Sequence, residues 1–328
     1  MSEAPSAESS VQPSFHGDGG TLFWLHLKSI LLSVVTLGVY SFWGRTRIRE
    51  YLWGQIEVDG DRFAYHGTGL ELFKGGLIAA AVFGGLYTLV AVVIPMALTP
   101  SLGQQAAQGV AGLLYMACFA LLVPLAIVGA RRYRLSRTSW RGIRFSFRGK
   151  YADLLKIYVV GGFLVAVTLG LYTPFLRNDV RKFFTEHARF GSVAFEFDGR
   201  GFDMFRQFFI AWLLTIPTLG LYWFWYNAAQ DRYFWSRTSI GDARFASTMT
   251  GGALLVQMLV ALLIALFTFG LGTPWAMVRL SRFRCETLSL AGTVDLSAIE
   301  QQAQAASGTG EGLASVLDVD GFDMGIGL

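Results

Sequence analysis

Thr218-Leu219-Gly220-Leu221-Tyr222-Trp223-Phe224-Trp225 closes an apolar run that begins near Phe208. A basic aromatic segment follows it, Asp231-Arg232-Tyr233-Phe234-Trp235-Ser236-Arg237. The phrase also stands at Thr36-Leu37-Gly38-Val39-Tyr40-Ser41-Phe42-Trp43 and at Thr168-Leu169-Gly170-Leu171-Tyr172-Thr173-Pro174-Phe175. A looser copy is Thr268-Phe269-Gly270-Leu271-Gly272-Thr273-Pro274-Trp275. Four copies of one apolar-to-aromatic transition point to an internally repeated membrane chain. In each copy the small residue is a candidate helix break, at Gly38, Gly170, Gly220 and Gly270. Such breaks serve either close helix packing or an exposed stretch of backbone at membrane depth.

Composition supports the membrane class. Of 328 residues, 53% are hydrophobic and only 15% charged, against about 25% in an ordinary soluble domain. The apolar runs are 21–43, 77–98, 110–127, 157–175, 208–225 and 254–277. Several approach the ~20 residues that cross a bilayer. The expected fold is therefore a multi-pass all-α bundle with about six membrane segments. Residues 15–295 form this domain, after a disordered lead over 1–14 and before a flexible acidic tail over 296–328. The lead has no basic n-region or apolar h-region, so no cleaved signal peptide is expected.

Short β-hairpins are expected between the repeats. Ile56-Glu57-Val58-Asp59-Gly60-Asp61-Arg62-Phe63-Ala64-Tyr65 alternates around an Asp-Gly turn. Gly142-Ile143-Arg144-Phe145-Ser146-Phe147-Arg148-Gly149 and Val193-Ala194-Phe195-Glu196-Phe197-Asp198-Gly199 carry related cues. Beyond each closing glycine an acid and a base sit three apart: Glu71 and Lys74, Asp153 and Lys156, Asp203 and Arg206. That spacing puts both on one helix face, with the acid at the positive end of the helix dipole. The six are candidate interfacial anchors, or candidate charges lining a polar path between helices.

The combination of Phe-x-Gly, an apolar helix, Thr-Leu-Gly-x-Tyr-x-Phe-Trp and Arg-x-x-x-Tyr resembles the YjgN family of bacterial inner-membrane proteins. The resemblance covers roughly residues 15–295. It implies an inner-membrane location and a multi-pass domain of unknown function, and it supplies no functional residue. Thr250-Gly251-Gly252 departs from the pattern, because no acid–base pair follows it.

No Walker A, HExxH or G-x-S-x-G sequence is present. His16, His26, His66 and His187 are scattered without ligand spacing, and Cys118 and Cys285 form no CxxC. No enzymatic activity, cofactor or metal is expected. Basic clusters abut apolar segments, which suits the bilayer and its anionic phospholipid headgroups better than nucleic acid. Two functions remain: a transporter or channel for a small solute, or a structural or lipid-interacting envelope protein. The topology is also open. The uncharged loop 99–108 reads as periplasmic by the positive-inside rule. Six single crossings would then put the basic loop 176–204 in the periplasm too. Re-entrant Thr-Leu-Gly segments would keep that loop inside.

Overall fold

In a computed structural model, residues 10–292 are described. Helices come in five back-to-back pairs. The first is α1 (Gly19–Val35) with α2 (Ser41–Gly54). The second is longer: α3 (Gly69–Thr88) runs through a π-turn at Leu89–Val93 into α4 (Ile94–Leu102), and α5 (Gln104–Arg137) returns. Then come α6 (Tyr151–Val167) with α7 (Thr173–Glu186), α8 (Gly201–Leu213) with α9 (Tyr222–Ser236), and α10 (Gly251–Phe267) with α11 (Thr273–Thr287).

Each return helix runs straight into a strand. Beyond the N-terminal β1 (Ser10–Val11) and β2 (Ser14–Phe15), the strands are β3 (Ile56–Val58), β4 (Asp61–Tyr65), β5 (Thr138–Trp140), β6 (Ile143–Phe147), β7 (Ala188–Phe190), β8 (Val193–Phe197), β9 (Thr238–Ile240), β10 (Ala243–Ser247) and β11 (Leu288–Ala291). All lie in one antiparallel sheet, in the order β1-β11-β10-β9-β8-β7-β6-β5-β4-β3-β2. The sheet is curled as a half-barrel. Its two ends are bridged by the N-terminal segment: Val11 pairs with Leu290, and three residues later Ser14 pairs with Glu57. The helices close the same way, with the Phe23 ring of α1 4.9 Å from the Trp275 ring of α11.

The all-α bundle with about six crossings is therefore wrong on two counts. The hairpins are not isolated insertions but one 11-stranded sheet. Among the described residues, only two helical stretches are long and apolar enough to cross a membrane, Gly69–Leu102 and Gln104–Arg137. Part of the expected disordered lead is ordered as well, since Ser10–Val11 and Ser14 are strand residues. The expected acidic tail lies outside the described residues.

The Thr-x-Gly phrases are reversals, and their chemistry is repeated. Leu37, Leu169, Leu219 and Phe269 take φ of 50–51°, and the following Gly38, Gly170, Gly220 and Gly270 take 90, 92, 81 and 85°. Each glycine N–H donates at 2.7 Å to the carbonyl five residues back, the bond that ends a helix in a Schellman turn. Each threonine works in both directions. Its Oγ1 donates to the carbonyl four residues back, at 2.6–2.7 Å in Thr36, Thr168, Thr218 and Thr268. The same oxygen accepts the N–H of Tyr40, Tyr172, Tyr222 or Gly272 four residues on. The last three threonines stand fifty residues apart. The residue at each tip is almost bare: Leu37 94%, Leu169 80%, Leu219 92% and Phe269 95% exposed. Close packing happens at the other end of the pairs. A Cβ on Gly69, Gly201 or Gly251 would come within 2.6–2.8 Å of the Cα of Trp43, Phe175 or Trp225 on the preceding return helix. A Cβ on Gly38, Gly220 or Gly270 would meet nothing within 4 Å, so those breaks serve the reversal rather than close packing.

Neighbouring pairs are also stitched by side chains. Arg132 Nη2 donates to the Gly149 carbonyl (2.9 Å), Arg282 Nη2 to Gly17 (3.4 Å) and Arg232 Nη1 to Met249. Asn178 Nδ2 reaches Gly199 at 3.2 Å. The concave face of the sheet supplies the main core, which includes Phe145, Phe147, Phe190, Phe195, Trp235, Ile240 and Phe245.

Candidate functional site

The charged helix starts sit at the bases of the helix pairs, and they pair differently from the three-apart expectation. Glu71 caps α3 in a capping box with Thr68. Its carboxylate accepts Arg137 Nη2 at 2.6 Å, Arg137 Nε at 3.2 Å and the Tyr133 hydroxyl at 2.9 Å. Asp203 accepts the Tyr233 hydroxyl at 2.7 Å, and that oxygen in turn accepts the Arg200 N–H at 2.6 Å. Tyr51 plays a matching part at the first pair, donating to the Asp18 carbonyl at 3.0 Å. A phenol on the return helix thus latches the start of the outgoing one. In the third pair Phe183 stands where the phenol would be, and Asp153 has no such partner. Lys74, Lys156 and Arg206 are exposed and make no ion pair with the acids three residues before them. Burial and the bond to Asp203 push the Tyr233 hydroxyl up to about 12.

None of these six charges lines the interior. The hollow of the sheet holds a cavity of about 120 Å³ walled mainly by aromatic rings, among them Trp53, Phe63, Trp140, Phe190, Trp235 and Phe245. Its polar edge is Asp231, Ser247, Arg284 and Thr287, with Cys285 beside them. Burial pushes the Cys285 thiol up to about 11. Asp231 accepts the Ser247 hydroxyl at 2.8 Å. Among the described residues no three His, Cys, Asp or Glu side chains converge as metal ligands.

Next to this edge lies a buried cationic cluster that reading the sequence missed. Arg131 is 9% exposed, and its guanidinium lies 5.6 Å from the Phe184 ring. The Arg181 guanidinium stacks 4.8 Å from Trp235 and 5.8 Å from Phe234. Burial and repulsion from Arg131 push the Arg181 guanidinium down to about 10, while Asp231 opposes the shift. Arg181 Nε and Nη2 are closed to solvent and donate to no atom among the described residues. The available signal was positional. Arg49, Arg131, Arg181, Asp231 and Ser281 each stand seven residues before the strand that follows their helix.

The family profile described as "Bacterial protein of unknown function (DUF898)" matches residues 10–219, 192–245 and 222–316. The chain belongs to this family. Three curated relatives, each named Inner membrane protein YjgN, are similar to it. The one from Escherichia coli O157:H7 is 28% identical over 156 residues, which is 48% of this chain and 36% of the relative. The one from Escherichia coli K12 is 31% identical over 133 residues, 40% of this chain and 30% of the relative. The one from Salmonella typhimurium LT2 is 28% identical over 134 residues, 41% and 30% respectively. The chain thus spans about a third of the length of the curated relatives it matches. No solved structure matches it. A shared family description without an activity leaves the function to be argued from the DUF898 chain itself.

Proposed function

We propose that this chain is a lipid-interacting inner-membrane protein built from five copies of one unit, with no solute path through it. Each copy is a helix pair followed by a strand pair, and the N-terminal segment completes the fifth. The observation that carries the reading is the row of bare apolar tips at Leu37, Leu169, Leu219 and Phe269. Apolar side chains held far out from the core at a helix reversal are suited to lipid, not to water.

Depth supports the division of labour. From each tip glycine to the first charge on the return helix run 7 to 11 residues, as from Gly38 to Arg45 and from Gly220 to Asp231. At ~1.5 Å per residue that is about 10–16 Å, or one leaflet of a hydrocarbon core ~30 Å thick. The long pair has no charge from Gly75 to Ala130, so each of its arms reaches about 40 Å and spans the core. The protein then crosses twice and dips four times. Exposed Arg45, Arg47, Lys156, Arg200, Arg206 and Arg279 stand where the short pairs leave the apolar zone, at the level of anionic headgroups. The positive-inside rule puts that level, and the sheet, on the cytoplasmic side. A lipid role is favoured over transport because the interior is a small aromatic cavity and the helix-start charges lie outside it.

Single cysteines test the placement, in a background carrying Cys118→Ser and Cys285→Ser. An impermeant thiol reagent on intact spheroplasts is expected to label Gln104→Cys at the long tip. Asp242→Cys, on a strand turn, is expected to label only after permeabilisation. Labelling of Asp242→Cys from outside would overturn the one-sided reading.

A further inference from the structure

We infer that the hollow of the sheet is a binding site for one neutral aromatic ring. The repeat itself makes the room. In β4, β6, β8 and β10 a phenylalanine stands at one recurring position, as Phe63, Phe145, Phe195 and Phe245. Across the next strand these four pair with Trp140, Phe190, Ile240 and Leu290. The partner is a ring in the first two couples and aliphatic in the last two. All eight side chains line the cavity of about 120 Å³, so one wall of it is filled by rings and the other is short of them. An engineered apolar cavity of ~150 Å³ takes up benzene.

The wall suits a ring better than an alkyl group. Trp140 lies 6.2 Å from Phe63 and 5.7 Å from Phe190, while Phe245 lies 5.3 Å from Trp235 and 6.3 Å from Phe195. Their planes are tilted by 25–49°, so a guest ring finds both faces and edges, the two arrangements that attract another ring. The ligand is neutral because charge of either sign meets its like. Trp140 and Trp235 already hold the guanidiniums of Arg141 at 4.7 Å and Arg181 at 4.8 Å, and Arg284 stands at the polar edge with a partner of its own. These repel a cation, and the Asp231 carboxylate on the same edge repels an anion. Asp231 also accepts the Ser247 hydroxyl, and Thr287 donates to the Phe283 carbonyl at 3.0 Å, so these groups are engaged within the chain. The site lies in the sheet and does not rest on the membrane placement proposed above.

The test uses the full chain purified in digitonin, whose rigid steroid skeleton is too large for a cavity of about 120 Å³. Benzene, cyclohexane, benzylammonium and benzoate are titrated while thermal unfolding is followed. Benzene should raise the midpoint saturably, with about two- to twelvefold higher affinity than cyclohexane, the ratio that ring–ring attraction gives. Leu290→Phe, which puts in the fifth unit the ring that Phe190 supplies in the third, should abolish the response. Phe202→Leu, which removes a ring that is 74% exposed, should leave it unchanged. A second readout needs no filling variant. In the Cys118→Ser background, alkylation of Cys285, which lines the cavity and is buried, should slow as benzene is added. The assignment is overturned if benzene neither raises the midpoint nor protects Cys285. It is also overturned if cyclohexane, benzylammonium or benzoate matches benzene, or if a folded Leu290→Phe responds like the parent.

Discussion

Leu219→Asn separates what the tip residue costs the fold from what it contributes to the membrane. Leu219 sits at φ 51°, in the left-handed region, where a non-glycine residue costs roughly 1–2 kcal/mol. Asparagine tolerates that region better, so the turn itself should gain a few tenths to about 1 kcal/mol. The side chain is 92% exposed in the protein, so nearly all of its apolar surface is available to lipid. Its loss removes about 2 kcal/mol of transfer free energy, by the area rule for a leucine. Making the same change at Leu37, Leu169 and Phe269 brings the total to about 8 kcal/mol if the sites act independently. The assay attaches a fluorophore at Ile216→Cys, 85% exposed beside the tip, and measures quenching by lipids carrying a mid-chain nitroxide. Strong quenching is expected in the parent, less in Leu219→Asn, and little in the fourfold variant. In detergent the single variant should unfold at a slightly higher temperature than the parent. Unchanged quenching in the fourfold variant would refute the reasoning, as would a parent tip that is not quenched at all.

Two further outcomes follow from the bases of the helix pairs. Gly251→Ala should cost about 1–3 kcal/mol as overpacking, because the new Cβ would lie 2.6 Å from the Trp225 Cα, and backbone cannot turn aside; a drop in unfolding midpoint measures it. The Tyr233 hydroxyl is raised from 10.0 to about 12 in the folded chain, so the fold holds that proton more tightly than the unfolded chain does. Its contribution is complete below pH 10 and is lost as pH climbs through 12, and Tyr233→Phe should flatten the stability-against-pH curve over that window.

The local features were legible and the long-range ones were not. The Thr-x-Gly phrases could be placed because a threonine bracket and a positive-φ glycine are needs of four or five consecutive residues. The strand cues at 56–65, 142–149 and 193–199 fall on β3, β4, β6 and β8 for the same reason, while β5 and β7 were not read. The pairing between strand pairs could not be read. Tyr65 pairs with Thr138 across the whole long helix pair, and Val11 pairs with Leu290 across nearly the whole chain. Nothing in a two- to five-residue strand names its partner, since register is set by what the helices bring together. The strand pair Thr238–Ile240 and Ala243–Ser247 passed unnoticed because its turn residues Gly241-Asp242 sit in a run with no strong alternation. Arg131, Arg181 and Asp231 were hidden by their chemistry. Beside Arg132, Lys182 and Arg232 they read as membrane-edge charge, and only their common distance from the next strand sets them apart.

In the membrane placement proposed above, the sheet also bears on the conflict between segment count and charge: connectivity fixes whether a helix pair crosses an odd or an even number of times, and helix length then fixes the number. A strand on one side of a bilayer cannot hydrogen-bond a strand on the other. β4 pairs with β5, β6 with β7, β8 with β9 and β10 with β11, and a helix pair lies between the members of each couple. The first helix pair is bounded likewise, since Phe15 of β2 pairs with Ile56 of β3. In the proposed placement every helix pair therefore crosses the membrane an even number of times, zero or two. The reading of one crossing per apolar run sent 157–175 across alone and stranded the basic loop 176–204 on the far side. With zero or two allowed, length decides each case. The arms of the long pair carry enough uncharged residues for two crossings. The return arms of α2, α7, α9 and α11 reach a charge after about 10–16 Å and allow none. The basic loops 44–76, 129–153 and 176–204 then fall on one side together, as the positive-inside rule prefers.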